Sequence, residues 1–460
     1  MIDSAVRLLP SLGRCGRGWF VHLLYSLRGA VWILVYLLFI FAPLFALLAG
    51  SHPPARNVWT EFSVALGYSG LAMMGLQFGL TARFRYVTEP WGEDVIYHFH
   101  RQISLVAVGL VVAHPLILIA VKPELLAPSN MLDAPLSAYF AFLSIFSLIA
   151  LVVAALWRTA LKIRYETWHL SHIALALTAV IAGVVHMVGS SFYLVDPWKR
   201  ALWIGLTMFW VALLLYVRIV KPLFMLRRPY RVLEVRKERG DTTTLVMQPD
   251  GHPGFRFSPG QFGWLTVWGS PFKITGHPFS FSSSAAATDG RVEMTIRNLG
   301  DFTRGIPKVP VGQRIYLDGP YGAFTTGNPA DMHVLIAGGI GVTPMMSMIR
   351  TLADQGDKRP VVLLYGVQDW ESITFREELE ALKARLDLKI VYVISRPPTG
   401  WRGEKGFIDA AMFKRHLPLP YAEHEYFICG PNVMMDAIEK ALGEMNVPMS
   451  KYHSERYSFV

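Results

Sequence analysis

The sequence has few cysteines and long stretches without any charge. Only two cysteines, Cys15 and Cys429, occur among 460 residues, which excludes a fold held together by a framework of disulfides. Residues 29–49 contain no charged side chain, and similar apolar runs recur up to residue 218. A first half of this kind excludes an ordinary soluble protein. The hydrophobic content of 52% is an average over this apolar first half and a more polar second half.

Six segments of the first half are long and apolar enough to cross a bilayer, which needs about 20 residues. They lie at 29–49, 58–80, 98–121, 136–157, 168–189 and 200–218, after a basic N-terminal segment, 1–28. A basic segment before an apolar run is also typical of a signal peptide, but a run of 21 residues exceeds the usual signal core. The sequence therefore predicts a six-helix transmembrane domain over 29–220.

Basic residues are concentrated in the loops on one side of the predicted membrane. That side carries the N-terminal segment and Arg83, Arg85, Arg158, Lys162, Arg164, Arg218, Lys221, Arg227 and Arg228, whereas the opposite loops carry only Arg56, Lys122, Lys199 and Arg200. An excess of basic residues marks the cytoplasmic side. We expect an integral protein of a bacterial inner membrane, with the N-terminus and everything after residue 220 in the cytoplasm. The formal charge of +10 then reflects topology and not nucleic-acid binding.

Two of the predicted spans carry matching pairs of histidines. His100 and His114 are fourteen residues apart in the third span, as are His172 and His186 in the fifth. Both histidines of a pair lie within about 40° of one helix face and roughly 21 Å apart along the axis. The two spans run in parallel, so His100 can face His172 near the cytoplasmic side while His114 faces His186 near the outer side. Two facing imidazoles are the ligands of a low-spin b-type haem.

A single histidine in an apolar helix more often forms a hydrogen bond than it binds a metal. Here the spacing occurs twice, and the neighbouring His98 and His169 have no such partner, because Val112 and Gly183 stand fourteen positions on. The pattern favours two haem b groups held by histidines alone, since no C-x-x-C-H motif for covalent attachment occurs. A protein of a different class stays open: a transporter whose histidines relay protons, regulated by a flavin domain.

The second half has the pattern of a soluble protein with two kinds of sheet. Alternating segments at 230–236, 243–248, 261–268, 278–283, 291–297 and 313–318, separated by turn residues, predict a small antiparallel β-barrel. From 332 onwards, strands alternate with a helix from Thr343 and helices near 374–386, 409–416 and 432–443, which predicts a parallel sheet. The expected fold is a multidomain membrane protein: a six-helix transmembrane bundle, then an antiparallel β-barrel and an α/β parallel-sheet nucleotide-binding domain.

Four motifs at strand ends and turns carry the chemistry expected of this half. HPFS begins at His277, and GDFT begins at Gly300, where a short helix opens. GGIGVTP begins at Gly338, between a strand and a helix, and CGP begins at Cys429, after a later strand. Helix starts and glycine turns offer backbone N–H groups to phosphates, and the carboxyl ends of parallel strands share one crevice. The motifs together predict a flavin site and a dinucleotide site.

With these motifs, residues 229–460 are similar to the ferredoxin-NADP reductase family, which has an FAD-binding barrel (here 229–326) and a nicotinamide-binding domain (here 327–460). With the histidine pairs in front, nearly the whole chain after residue 28 resembles the NADPH oxidase and ferric reductase superfamily. The resemblance implies FAD, two haem b groups and NADPH as cofactors, with NADH as the alternative to NADPH. It also implies a lipid bilayer and a small-molecule electron acceptor as partners.

The resemblance assigns residues to both nucleotide sites. FAD would be bound by His277, Pro278, Phe279, Ser280, Gly300, Asp301, Phe302 and Thr303. The nicotinamide dinucleotide would be bound by Gly338, Gly339, Gly341, Thr343, Pro344, Gly430 and Pro431, with Ser395 and Arg396 at the 2′-phosphate of NADPH. Cys429 would lie near the hydride-transfer site, and Phe459, or else Tyr457, would stack on the flavin. Structural alternatives stay open: Cys429 as a small buried residue, Arg396 as a surface charge and Phe459 as terminal packing.

The implied activity is that of a transmembrane flavohaem oxidoreductase. NADPH would reduce FAD on the cytoplasmic face, and single electrons would pass to the inner haem at His100 and His172 and then to the outer haem at His114 and His186. Because two histidines would fill both axial positions of the outer haem iron, an acceptor outside the membrane would be reduced at the edge of that haem. Dioxygen, giving superoxide, is the expected acceptor. A ferric chelate is the alternative, because Leu118 stands where oxidases often have a polar residue, and a reductase serving a partner protein is a third option.

Overall fold

The structure is a computed structural model that describes residues 14–51, 53–84, 92–126, 134–273, 276–326 and 330–456. The chain forms two compact units that divide near residue 222. The first unit contains the apolar helices, and the second contains two β-sheets.

Six spans of the described chain are helical, long and apolar enough to cross a membrane, which confirms the six predicted spans. The helices are α1 (Arg14–Phe45), α2 (Val58–Leu80), α3 (Glu93–Val121), α4 (Leu136–Leu156), α5 (Tyr165–Ser190) and α6 (Pro197–Leu215). A π-turn, Tyr216–Val220, continues α6 into α7 (Lys221–Leu226). The fifth helix begins at Tyr165 and not at 168, and the sixth span extends to Leu226, beyond the predicted end at 218.

The helices pack through small and aromatic residues in the centre of the bundle. Trp203 and Trp210 of α6 are buried, and the Trp210 indole occupies the space where a side chain at Gly75 would begin. Ser144 of α4 donates a hydrogen bond of 2.7 Å to the carbonyl of Ala179 in α5. Many apolar side chains on the outside of the bundle are exposed, as lipid-facing helices require.

The first sheet of the second unit is an antiparallel barrel. Its strands are β1 (Tyr230–Glu238), β2 (Thr242–Pro249), β3 (Phe262–Thr266), β4 (His277–Ser280), β5 (Val292–Arg297) and β6 (Arg314–Tyr321), paired in the order β4-β3-β6-β1-β2-β5. Phe281, directly after β4, bridges Met294 in β5, and this contact closes the sheet. A short helix, α8 (Asp301–Gly305), follows β5. The predicted barrel is confirmed.

The second sheet is parallel throughout, as predicted. Its strands are β7 (His333–Gly338), β8 (Val361–Val367), β9 (Leu388–Ile394), β10 (Glu404–Lys405), β11 (Glu425–Cys429) and β12 (Tyr452–Glu455), in the order β10-β9-β8-β7-β11-β12. The crossover helices are α9 (Val342–Gln355), α10 (Arg376–Leu382), α11 (Ala410–His416) and α12 (Asn432–Glu444). The edge strands β10 and β12 were not predicted, because two to four residues are too few to show an alternating pattern.

Two arginines link the barrel to the parallel sheet. Arg350 of α9 donates to the carbonyl of Ser282 (2.8 Å) and to the carboxylate of Glu293 (2.9 Å) in the barrel. Arg239, in the β1–β2 turn, pairs with Glu371 and Glu377 at 2.7 Å each. Its hydrogen bond lowers the pKa of the Glu377 carboxyl to about 2. The strand ends that carry the nucleotide motifs are therefore held against the barrel.

Candidate functional site

His100 of α3 and His172 of α5 face each other across the bundle. The centroids of their rings are 6.4 Å apart. A metal lies about 2.0–2.1 Å from an imidazole nitrogen, and each nitrogen lies about 1.1 Å from its ring centre, so two imidazoles on opposite sides of one ion have centroids roughly 6.3 Å apart. The two rings therefore already have the separation that a bis-imidazole haem requires.

The Nδ1 atom of His100 is hydrogen-bonded to a side chain of α2. It lies 2.8 Å from Oε1 of Gln77, while Nε2 of Gln77 donates to the carbonyl of Met73 at 2.9 Å. The amide oxygen can only accept, so Nδ1 of His100 carries the proton and Nε2 carries the lone pair that binds a metal. His172 differs, because its buried Nδ1 has no hydrogen-bond partner within the described residues.

His114 and His186 occupy corresponding positions farther along the same two helices. Nδ1 of His114 lies 3.0 Å from the carbonyl oxygen of Ser63, and Nδ1 of His186 lies 2.9 Å from that of Ser137. Carbonyl oxygens only accept, so in both rings Nε2 is the atom free to bind a metal. Gly67 makes room for His114, since a Cβ at Gly67 would lie 3.2 Å from Cγ of the ring. These features fit a second haem.

The sequence did not point to the acceptors that hold these rings. Gln77 was visible as a polar residue inside an apolar span, but nothing in the sequence relates it to His100, 23 positions later. Ser137 acts through its backbone carbonyl, which every residue has, and Ser63 contacts Nδ1 of His114 through both its carbonyl and its hydroxyl (2.9 Å). Glu61 lies in the first turn of α2 and pairs with Arg56 at 3.1 Å.

The two proposed flavin motifs lie together in the barrel. His277 begins β4, and its ring centroid is 4.0 Å from that of Phe302 in α8. Phe279 stacks on the same ring at 6.0 Å, and Trp268 contacts it edge-on at 5.2 Å. Pro278 pairs with β3, and Ser280, at the end of β4, is buried. The motifs HPFS and GDFT therefore form one aromatic surface that is suited to a flavin nucleotide.

The start of α8 is shaped by Thr303. Its hydroxyl oxygen accepts hydrogen bonds from the N–H groups of Leu299 and Gly300, both at 2.8 Å. No atom of the described residues lies within 4 Å of the position that a Cβ at Gly300 would occupy, so space adjoins the turn there, as a pyrophosphate site needs. The Asp301 side chain points into solvent and pairs with Arg304 at 3.3 Å, so it does not join the aromatic surface.

The two glycine motifs of the parallel sheet pack directly against each other. A Cβ at Gly430 would lie 3.0 Å from Cα of Gly338, and a Cβ at Gly341 would overlap the carbonyl of Cys429. Gly339 has φ +55°, a conformation that suits glycine. Because β7 and β11 are neighbouring parallel strands, both motifs open on the same crevice at their carboxyl ends.

The other residues proposed to bind the nucleotide differ in their burial and in their position relative to this crevice. Thr343 is buried and donates to the carbonyl of Ile340 at 2.8 Å, so its hydroxyl closes the turn before Pro344. Cys429 is fully buried at the end of β11, and Pro431 follows against Gly338. Ser395 and Arg396 continue the pairing of β9 with β8 through backbone bonds to Val367 and Gln368, and Arg396 has an exposed side chain. Phe459 and Tyr457 lie outside the described residues.

A small cavity of about 70 Å³ lies between the barrel and the glycine turn. It is lined by Gly240, Thr242, Arg297, Gly339, Ile340, Val367, Gln368, Ser372 and Thr374. Arg297, at the end of β5, has its guanidinium 3.4 Å from the position of a Cβ at Gly339. A guanidinium beside a glycine turn is suited to a phosphate, and no sequence pattern connects Arg297 with Gly339.

Family comparisons match the three parts of the chain separately. Residues 66–183 match a ferric reductase like transmembrane component, residues 227–338 an FAD-binding domain and residues 335–440 an oxidoreductase NAD-binding domain. The first match includes His100, His114 and His172 and ends before His186, and the other two cover the barrel and most of the parallel sheet.

Curated relatives resemble the second half. A glycine betaine monooxygenase reductase subunit from Chromohalobacter salexigens is 30% identical over 250 residues, which cover 50% of this chain and 64% of the relative. NADH-cytochrome b5 reductase 1 from Aspergillus terreus is 29% identical over 208 residues, which cover 42% of this chain and 70% of the relative. The chain thus spans less than two thirds of the first relative.

Among solved structures, the flavohem-like FAD/NAD binding domain of a nitric oxide dioxygenase from Vibrio cholerae is 25% identical, with a TM-score of 0.45. The likeness covers 50% of this chain and 98% of that domain. The succession of a ferric reductase-like membrane domain, an FAD-binding domain and an NAD-binding domain is the architecture of the NADPH oxidase and ferric reductase superfamily.

Proposed function

We propose that the chain carries electrons from cytoplasmic NADPH across a bacterial inner membrane to dioxygen on the outer side, where superoxide forms. The observation that carries the proposal is the pair of facing histidines, His100 and His172, with His114 and His186 farther along the same helices. When bound, FAD would accept two electrons from the donor as a hydride and release them one at a time, and two b-type haems would relay these single electrons.

The helices around the histidines prepare them as ligands. Gln77, Ser63 and Ser137 accept hydrogen bonds from Nδ1 of His100, His114 and His186, respectively, and so leave Nε2 of each ring available. Acceptors of this kind fix the orientation of the ring and raise the basicity of the ligand. Since the relay depends on both haems, these contacts support the proposal more directly than the histidine spacing does.

The second unit binds the electron donor and the flavin. His277, Pro278, Phe279 and Ser280 with Gly300, Asp301, Phe302 and Thr303 would hold FAD, with Phe459 or Tyr457 against its ring. Gly338, Gly339, Gly341, Thr343, Pro344, Gly430 and Pro431 would hold the nicotinamide dinucleotide, with Cys429 beside the transferred hydride. The direct packing of Gly338 on Gly430 supports one shared crevice.

NADPH is the proposed donor because Ser395 and Arg396 end the strand next to β8. The exposed Arg396 side chain can reach a 2′-phosphate, whereas NADH offers no such group. An Arg396→Gln variant should raise the KM for NADPH about tenfold and leave the KM for NADH unchanged, because a charge-assisted hydrogen bond contributes on that order. A KM for NADPH that does not change would contradict this preference.

The orientation follows from the basic loops, which support a cytoplasmic second unit. For the acceptor, a ferric chelate is the second candidate. Two observations favour it: residues 66–183 match a ferric reductase like component, and Leu118 offers no polar contact one turn beyond His114. We place dioxygen first because the histidine spacing and the HPFS motif resemble the oxidase branch.

An anaerobic titration of the full-length protein with NADPH, in the presence of FAD, tests the proposal. We expect b-type haem bands to appear in proportion to NADPH, and two haems per chain by pyridine haemochrome. His100→Ala and His114→Ala should each remove one haem, whereas His98→Ala, an exposed histidine on the same helix, should remove none.

Admitting air or a ferric chelate to the reduced protein then ranks the acceptors. Rapid reoxidation by air with a signal sensitive to superoxide dismutase supports the oxidase, and fast reduction of the chelate without that signal supports the reductase. If dithionite itself produces no haem bands in a protein supplied with haem, the proposed function is wrong, and a histidine-relay transporter becomes the better reading.

A further inference from the structure

Within the described residues, three buried side-chain nitrogens around one turn of α5 have no hydrogen-bond partner. They are Nε1 of Trp168, Nδ1 of His172 and Nε of Arg218, and none of them meets an acceptor in the part of the chain that the structure describes. The Trp168 ring lies 5.4 Å from the His172 ring and 6.0 Å from the His169 ring, between centroids. A polar group that is buried without a partner loses its hydrogen bond to water and gains none in the protein, so such groups are rare in folded proteins.

Arg218 joins this cluster through His169. Its Nη2 contacts Nε2 of His169, whose Nδ1 lies 3.4 Å from the hydroxyl of Tyr165. Because a guanidinium can only donate, His169 accepts, and it does so as a neutral imidazole. Among the described residues no carboxylate pairs with Arg218, so its positive charge is not neutralised.

The backbone at Arg218 is unusual as well. Arg218 is the central residue of the π-turn, Tyr216–Val220, between α6 and α7. Such turns are rare within helices and often occur at functional sites, because the extra residue redirects the side chains around it. A half-buried cation without a counter-ion is unfavourable unless a ligand supplies the negative charge. The unpaired donors and the charge both call for anionic oxygens.

We propose that Trp168 and Arg218, the latter positioned by His169, bind a carboxylate, and that the ligand is a propionate of the haem held by His100 and His172. This inference rests on the proposed function, since it requires a haem at that pair. Trp168 and His169 precede His172 by four and three residues and therefore lie on the same helix face. A lipid phosphate would offer similar oxygens, but proximity to His172 favours a group that this histidine itself brings to the site.

Haem b and its dimethyl ester, which lacks free carboxylates, provide the test. Full-length protein, produced without haem and reconstituted in nanodiscs with either ligand, is mixed with excess apomyoglobin, and haem loss is followed by absorbance. We expect two kinetic phases, one for each haem. In one phase, wild-type protein should lose the ester about tenfold faster than haem b, because a hydrogen bond to a charged group contributes on that order.

Arg218→Gln should abolish the difference between the rates of loss of haem b and its ester in the affected phase. Trp168→Phe, which keeps an aromatic ring but removes the N–H, should reduce that difference. Arg164→Gln is the matched control, because it removes a largely exposed arginine from the N-terminal end of the same helix, and it should leave the difference unchanged. If Arg218→Gln does not fold, Trp168→Phe alone carries the comparison.

Equal rates for the two ligands in wild-type protein would overturn the proposal, as would a difference that persists in both variants. Equal rates for the two ligands, together with phosphatidylglycerol that wild-type protein retains and Arg218→Gln loses, would assign the cluster to a lipid headgroup and overturn the proposal too. Wild-type protein that binds haem b nowhere would instead contradict the proposed function, so the two failures are distinguishable.

Discussion

Gln77 determines which nitrogen of His100 carries the proton. Its amide nitrogen donates to the carbonyl of Met73 (2.9 Å), which turns its oxygen towards Nδ1 of His100 (2.8 Å). An amide oxygen and nitrogen are otherwise hard to distinguish, but the carbonyl of Met73 accepts only from the nitrogen. A ligand histidine on α3 is thus oriented by a hydrogen-bond chain that begins in the backbone of α2.

Replacing Gln77 should therefore weaken one haem site and alter its potential. Gln77→Leu leaves Nδ1 without an acceptor, and loss of such contacts typically lowers metal affinity about 10- to 100-fold. Gln77→Glu keeps an acceptor and adds negative charge, so it should retain the haem and lower its midpoint potential by favouring the ferric state. Pyridine haemochrome and a spectroelectrochemical titration measure both effects. If the leucine variant retains two haems of unchanged potential, Gln77 does not position His100.

Gly67 should affect the second histidine pair only because its missing side chain leaves room for the His114 ring. A Cβ at this position would lie 3.2 Å from Cγ and 3.3 Å from Cδ2 of His114, so Gly67→Ala must push the ring by a few tenths of an ångström. Overpacking of this kind costs about 1–3 kcal/mol. We expect a shifted low-spin electron paramagnetic resonance signal for one haem, or partial loss of that haem.

Gly205→Ala provides the control for this variant. Gly205 lies in α6, and no atom in the described part of the chain comes within 4 Å of the position its Cβ would take. The same change of residue in the same bundle should therefore leave both haem signals as they are. Equal spectra for Gly67→Ala and wild-type protein would show that His114 has more freedom than the packing indicates.

At the nucleotide site, the approach of Gly430 to Gly338 leaves no room for a side chain. In Gly430→Ala the new methyl group would meet Cα of Gly338 at 3.0 Å, together with the end of the Met434 side chain. The two turns must then separate, so we expect the rate of flavin reduction by NADPH to fall at least tenfold while FAD content is retained. Stopped-flow absorbance measures the rate. Gly443→Ala in α12, where no described atom lies within 4 Å of the new Cβ, is the matched control, and its flavin should be reduced at the wild-type rate.

The sequence was most informative about features that depend on residues close together along the chain. Apolar runs indicate spans, a fourteen-residue spacing places two histidines on one helix face, and glycine motifs mark strand ends. These features predicted the six helices, both sheets and the facing of His100 and His172. They do not depend on how helices and sheets pack together.

Contacts that depend on packing were not predictable. Ser137 holds His186 through a backbone carbonyl, for which no residue type is diagnostic. Arg297 reaches the turn at Gly339 only because the barrel packs on the parallel sheet. In the sequence Arg218 is one of many basic residues at a membrane edge; only the structure shows that it lies in a π-turn and that, among the described residues, its Nε has no acceptor.

His333, at the start of β7, should make the stability of the second unit depend on pH. The ring is fully buried, and within the described residues neither of its nitrogens has a hydrogen-bond partner. Burial, reinforced by the nearby Arg359, lowers its pKa to about 4, although Asp357 and Glu425 act in the opposite direction. An unfolded chain has a histidine pKa near 6.5, so below that pH the unfolded state gains a proton that the folded state excludes.

The stabilising contribution of neutral His333 is therefore complete above about pH 6.5 and is lost as the pH falls towards 4, by on the order of 3 kcal/mol. His333→Leu cannot take up that proton, so its melting temperature should fall less than that of the wild type between pH 6.5 and pH 4. The release of FAD fluorescence on heating the full-length protein reports this unfolding. His98→Ala, which changes an exposed histidine, should follow the wild-type profile. A constant difference in melting temperature between His333→Leu and wild type over this range would mean that His333 takes up its proton in the folded state as readily as in the unfolded chain.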